Sequence, residues 1–240
     1  MGGEFEVLSD AERLAHVVAD RFVSSASLAI AERGRFTVAF AGGSTPEPTY
    51  ALLAEPRRAH EIDWARVDIF WGDERSVPPD HPDSNYRMAR WVLLDHVPVP
   101  EENVHRIRGE LPPEDAAAAY RLELQEHLGV DGRFDLILLG MGPDGHTASL
   151  FPGTDAIQEQ ERSVVAVYVE KLDAWRVTLT LPVINAARHV IFLVSGEEKA
   201  HALARVHADE PLPAGMVEPV DGKLTWLVDR DVAARLPLES

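Results

Sequence analysis

Two residues set the chemistry that this 240-residue chain has available. Asp144 and His146 lie two positions apart in Gly140-Met-Gly-Pro-Asp-Gly-His146, a loop dense in residues that permit a positive φ or set a bend. An imidazole titrates near neutral pH, so His146 is a candidate general base, and a neighbouring carboxylate is the usual means of tuning it. Three other stretches bring groups suited to an anion. Gly42-Gly43-Ser44-Thr45-Pro46 combines close backbone approach with hydroxyls and a proline suited to a helix start, which makes an anion site at a helix N-terminus or, alternatively, only a capped tight turn. Gly72-Asp73-Glu74-Arg75 offers Arg75 as a bidentate clamp for phosphate or carboxylate, the plainer alternative being a surface Asp–Arg pair. Ser195-Gly-Glu-Glu-Lys199 puts a cation in the first turn of a predicted helix, against the macrodipole, a place that a bound anion would explain.

The elements around these stretches supply a common direction. Phe36–Ala41, Val67–Trp71, Phe134–Leu139 and His189–Val194 are short apolar runs of the kind buried on both faces of a parallel sheet. Each runs straight into one of the four polar loops. Ser9-Asp-Ala-Glu12 has the form of a capping box and opens a helix over about 10–32, stopped by Gly34. Helices are also expected from Pro46 to Leu53, Tyr86 to Leu94, Pro113 to Leu128, and through about His207. Val164–Val169, Arg176–Leu181 and Leu224–Val228 read as further strands, Val104–Ile107 as a short one, and 229–236 as a closing helix. Strands alternating with helices define an α/β, doubly wound, mostly parallel sheet with helices on both faces, here as one domain over 1–240. Ligands in such folds bind beyond the carboxyl ends of the strands, where all four loops arrive. Arg176 opens its predicted strand, which leaves open the opposite edge of the sheet for it.

Composition removes several classes. The chain has no cysteine, which excludes disulfides, thiolate nucleophiles and Cys-based metal sites. Its net charge of −17 argues against nucleic acid and anionic membranes as partners, but not against a small anion held by a few local cations. No apolar run approaches the length that spans a membrane, and the N-terminus shows no secretory h-region, so a cytoplasmic protein is expected. Lys171, Lys199 and Lys223 are the only lysines.

The same blocks carry a resemblance. Ala41-Gly-Gly-Ser-Thr-Pro46, Gly72-Asp-Glu-Arg75 with Ser84-Asn-Tyr86, Gly140 through Pro152, Arg176-Val-Thr-Leu-Thr180 and Ser195-Gly-Glu-Glu-Lys199 are similar, in order and over nearly the whole chain, to those of the 6-phosphogluconolactonase family. The resemblance implies the fold shared with glucosamine-6-phosphate deaminase. It also implies hydrolysis of 6-phospho-D-glucono-1,5-lactone to 6-phosphogluconate in the oxidative pentose phosphate pathway, with neither cofactor nor metal. In its terms His146 activates water, assisted by Asp144. Gly43, Ser44, Thr45, Asp73, Arg75, Arg176 and Lys199 bind the substrate, a small phosphorylated sugar lactone, and a monomer suffices. One departure is visible: where the family often has a proline-containing segment before its Arg-(Val/Ile)-Thr-Leu-Thr block, this chain has Lys171-Leu-Asp-Ala-Trp175.

Rival readings use the same loops. A sugar-phosphate deaminase or isomerase usually continues its Asp-Gly-His block with an Asn-Glu-Pro type segment, whereas this chain has Leu150-Phe-Pro-Gly153. A non-catalytic sugar-phosphate sensor has no use for His146. Asp144 and His146 alone are two metal ligands without a convincing third. No strand leads into a full G-x-G-x-x-G with a later acidic residue, which disfavours nicotinamide. The other nine histidines, among them His16, His96, His127 and His201, read as surface or satisfied core residues.

Overall fold

The computed structural model describes residues 2–129 and 131–236; residues 1, 130 and 237–240 of the expected domain lie outside these. Six parallel strands form the main sheet: β1 (Glu4–Leu8), β2 (Phe36–Phe40), β3 (Val67–Trp71), β5 (Leu136–Leu139), β8 (His189–Val194) and β9 (Lys223–Asp229), in the order β1-β9-β8-β5-β2-β3. Every residue of β2, β3 and β5 is buried, as continuous Val/Ile/Leu/Phe runs require when both faces of a sheet are covered. The chain lays β3 on one side of β2 and then returns to place β5 on the other. The carboxyl ends of β2 and β5 therefore flank a switch point, the place where open α/β sheets bind ligands.

The helices are α1 (Ala11–Arg33), α2 (Glu47–Ala54), α3 (Pro56–Ala59), α4 (Asn85–Val92), α5 (Pro113–His127), α6 (Leu181–Ala186), α7 (Ala200–His207) and α8 (Arg230–Ala233). α1 buries Leu14, Val18, Phe22, Ala26 and Ala29 at helical spacing, with Phe22 edge-on to Phe36 at 5.2 Å between ring centroids. By length and hydropathy α1 does reach the range of a membrane span, contrary to the expectation that no run does, yet this face lies in the core of the fold. Its cap is also one residue later than the capping box predicts. The Asp10 carboxylate accepts from the Arg13 N–H at 2.7 Å, and the Ser9 hydroxyl donates to Asp10 instead of accepting from the helix.

Three further differences have local causes. β1 was hidden in an acidic N-terminal stretch because it pairs only with β9 at the sheet edge, a partner more than two hundred residues away. Val104–Ile107 contributes a single bridge, Val104 to Ile69, rather than a strand. Asp73–Arg75 is not a loop: it forms β4, which joins β7 (Ala174–Leu179) and β6 (Val164–Val169) in a separate antiparallel sheet, β4-β7-β6. This second sheet stands at the carboxyl edge of the first, because β4 follows β3 after Gly72 alone.

Candidate active site

The loop after β5 is held in shape mainly by its own backbone. The Gly145 N–H donates to the Gly142 carbonyl at 3.0 Å, the Gly142 N–H to the His146 carbonyl at 2.9 Å, and the Thr147 hydroxyl to the Gly140 carbonyl at 2.8 Å. Gly142 is glycine for a steric reason: a Cβ there would lie 2.0 Å from Cε1 of the His146 ring, so the imidazole rests directly on the backbone. The ring's other neighbour is Phe151, stacked at 4.0 Å between centroids.

Nδ1 of His146 lies 2.5 Å from Oδ1 of Asp144. A carboxylate only accepts, so this contact places the proton on Nδ1 and leaves Nε2 bare for a substrate or water. Burial pushes the His146 imidazole below its ordinary value, aided by the charge of Lys171 and opposed by the hydrogen bond and charge of Asp144. Partial burial pushes the Asp144 carboxyl up, but hydrogen bonds from Lys171 and His146 outweigh this and hold it at about 2. Both groups are thus in their base forms at neutral pH, the state that a general base and its orienting partner need.

The cavity that His146 borders, of about 440 Å³, is also lined by cations and by the loop after β2. Arg75 and Arg176 face each other across the β4–β7 ladder. The expectation that left Arg176 open to the opposite edge is corrected here: β7 belongs to the second sheet, so its start lies at the cavity. Arg75 donates from Nη1 to the Asp83 carbonyl at 2.5 Å, whereas Nε of Arg176 is buried without a hydrogen-bond partner. Burial, and then the neighbouring Arg75 charge, push the Arg176 guanidinium down, although such a group stays charged. Two guanidiniums side by side repel, an arrangement that an anion between them relieves.

Lys199 ends a 3₁₀ turn, Glu197–Lys199, before α7 instead of lying in the helix's first turn. Its Nζ donates to the Thr45 hydroxyl at 3.2 Å, and burial pushes the ammonium down against the opposing charges of Glu198 and Asp229. Neither Ser44 nor Thr45 caps α2, whose N-cap is Pro46 with no side-chain bond; Gly43, Ser44 and Thr45 instead line the cavity in a turn before the helix. That leaves the Ser44 and Thr45 hydroxyls for Lys199 or a ligand.

Asp73 also borders the cavity but its carboxylate is engaged, accepting from the Ser149 hydroxyl at 2.6 Å and from Nδ2 of Asn85 at 3.3 Å. It ties β4 to the His146 loop. The neighbouring Glu74 was not singled out from the sequence. Its buried carboxylate accepts from the N–H groups of Arg75, Asn85 and Tyr86 and from the Ser84 hydroxyl, at 2.8 to 3.0 Å, and so fixes the return of the loop 76–84 to α4. Burial pushes the Glu74 carboxyl up, and the backbone donors pull it back in part. Lys171 stood out in the sequence as one of three lysines and as part of an unusual segment, with no role assigned to it. It reaches the cavity from the turn Glu170–Leu172 and donates from Nζ to Oδ2 of Asp144, its ammonium 4.6 Å from the centre of the Phe151 ring.

A parallel sheet with a polar cavity at its switch point, holding a carboxylate–imidazole pair and facing cations, defines an α/β enzyme for small anionic substrates. The comparisons place it further. Residues 9–226 match the family of glucosamine-6-phosphate isomerases/6-phosphogluconolactonase, and the chain belongs to that family. A protein of Nostoc sp. named 6-phosphogluconolactonase is 43% identical over 240 residues, covering 96% of this chain and 97% of its own. A human protein of that name is 42% identical, covering 98% and 93%. Among solved structures, the 6-phosphogluconolactonase of Trypanosoma brucei superposes with a TM-score of 0.87 at 31% identity, covering 98% of this chain and 99% of that one. A monomeric glucosamine-6-phosphate deaminase, at 20% identity and a TM-score of 0.82, shares the fold.

Proposed function

We propose that this chain hydrolyses 6-phospho-D-glucono-1,5-lactone to 6-phosphogluconate, the activity carried in its relatives' names, as one catalytic unit over 1–240 acting in the cytoplasm. The observation that carries the reading is the position of His146: Nδ1 is committed to Asp144, Nε2 is free, and Arg75, Arg176 and Lys199 line the same cavity. Arg75, Arg176 and Lys199, with Ser44 and Thr45, hold the phosphate. That anchoring presents the lactone ring to His146 and turns remote binding energy into orientation.

Nε2 of His146 takes a proton from water as the oxygen attacks the lactone carbonyl carbon. The Asp144 carboxylate steadies the imidazolium that forms, and backbone N–H groups of the glycine loops receive the oxyanion. When the tetrahedral intermediate collapses, the bond to the ring oxygen breaks and His146 returns the proton to that oxygen, leaving a free carboxylic acid and a hydroxyl. No metal or redox step is needed for this balance. Asp73, bound to Ser149 and Asn85, keeps the two sides of the site in register.

The test is to generate the lactone in situ and follow its disappearance by NMR, subtracting its unaided opening in water. Loss well above that of buffer supports the reading; loss at the rate of buffer removes it.

A further inference from the structure

The segment that departs from the family's pattern delivers a lysine to the acid–base pair. Lys171 follows β6, in the turn that precedes β7, and reaches back to the loop of His146. The two oxygens of Asp144 are divided: Oδ1 receives Nδ1 of His146, and Oδ2 receives Nζ of Lys171. The same ammonium lies 4.6 Å from the centre of the Phe151 ring, on which the imidazole also stacks. Three groups, Lys171, Asp144 and His146, thus form one line of hydrogen bonds ending at the bare Nε2.

We propose that Lys171 is a positioning residue for the reaction: it clamps Asp144 so that a single oxygen is left for His146, and it balances that carboxylate's charge so that the imidazole meets substrate unprotonated. The proposal rests on the lactonase reading of the site. The charges that act most on His146 are Asp144 on its own loop, Lys171 from the β6–β7 turn and Asp73 from β4. Two of the three are anions that favour the imidazolium, and Lys171 is the cation that offsets them. Without it the carboxylate acts unopposed, His146 takes its proton at higher pH, and the base form is lost sooner as pH falls.

The experiment is the pH profile of kcat/KM for wild type, Lys171→Met and Lys171→Arg. Lys171 is half exposed, so the substitutions leave the core untouched. For Lys171→Met the acid limb moves up by on the order of one pH unit, with the loss concentrated below pH 7, and Lys171→Arg returns it towards wild type. NMR titration of the His146 ring reads the same shift without turnover. A uniform loss at every pH, or an unmoved imidazole titration, overturns the role. A wild type that does not hydrolyse the lactone overturns the activity reading instead, and the imidazole titration then still decides whether Lys171 tunes His146.

A second site lies towards the other end of β3. His105, Glu123 and His127 each offer one ligand atom, and the three atoms lie within 4.8 Å of one another. Nδ1 of His105 is 3.3 Å, and Nε2 of His127 3.7 Å, from the same Oε2 of Glu123. A tetrahedral metal with bonds of ~2.0–2.1 Å needs ligand separations of about 3.3 Å. Glu123 and His127 are one turn apart on α5, and the far nitrogen of His105 lies 3.4 Å from the buried carboxylate of Asp68, the outer-shell partner that ligating histidines commonly have. The geometry points to a divalent-metal site of zinc type, with two imidazoles and one carboxylate, separate from the catalytic cavity. After treatment with chelator, wild type is expected to take up one zinc per chain in calorimetry and to melt at higher temperature with zinc. His127→Ala and Glu123→Gln lose both effects, and a surface control, His201→Ala, keeps them. Failure of wild type to bind stoichiometric zinc, or equal binding by His127→Ala, overturns the assignment.

Discussion

The two ends of the cavity are built on opposite principles. At the His146 end every charge meets its counterpart within the protein: Asp144 lies between Lys171 and His146, and the loop beneath is closed by its own hydrogen bonds. At the other end the cations are compensated only in part. Arg176 makes no ion pair among the described residues and keeps a buried, unpartnered Nε, while the carboxylate of Glu198 is 4.0 Å from Lys199. In a chain of net charge −17 such a concentration of poorly paired cations is costly unless a ligand completes it. One end is finished by the protein and serves chemistry; the other is finished by the substrate and serves binding.

The contrast predicts different kinetic signatures. His146→Ala carries the largest effect, a loss in kcat of about a hundredfold to ten-thousandfold with KM little changed, as removal of a general base requires. Lys199→Ala and Arg176→Leu act in the other sense, raising KM by roughly tenfold to a hundredfold, because each removes a charge-assisted hydrogen bond to the phosphate. Wild type should keep its kcat/KM below the pH at which a free imidazole protonates, about 6.5, because burial lowers the pKa of His146 and the neutral form is the active one. The smallest effect is structural. Glu74→Gln puts an amide among four donors, lowers the melting temperature by several degrees, and changes KM more than kcat by loosening the Arg75 strand.

What the sequence made legible follows the range of the interactions involved. The four strand ends and their loops could be read because each is a local pattern, an apolar run closed by glycine. Since the strands lie parallel, as the alternation of elements implied, their loops meet at one edge. The second sheet was not legible. β4 has three residues and takes its partner from a segment about a hundred residues on, so Asp73–Arg75 looks like loop and Arg176 has no evident address. Lys171 and Glu74 were missed for the same reason: the contacts that define them, to Asp144 and to the start of α4, are set by tertiary folding and leave no local signature. Ser44 and Thr45 were found by their loop, but neither is the helix cap expected of them, because a helix start preceded by an extra turn looks, in sequence, like a capped one.

The two-ended cavity is tested most directly by calorimetric binding of the product, 6-phosphogluconate, to wild type, His146→Ala and Arg176→Leu, where no turnover confuses affinity with rate. The account predicts that His146→Ala binds within a fewfold of wild type while Arg176→Leu binds at least tenfold more weakly. Weakened binding by His146→Ala together with unchanged binding by Arg176→Leu would contradict it, and would place the phosphate at the imidazole end.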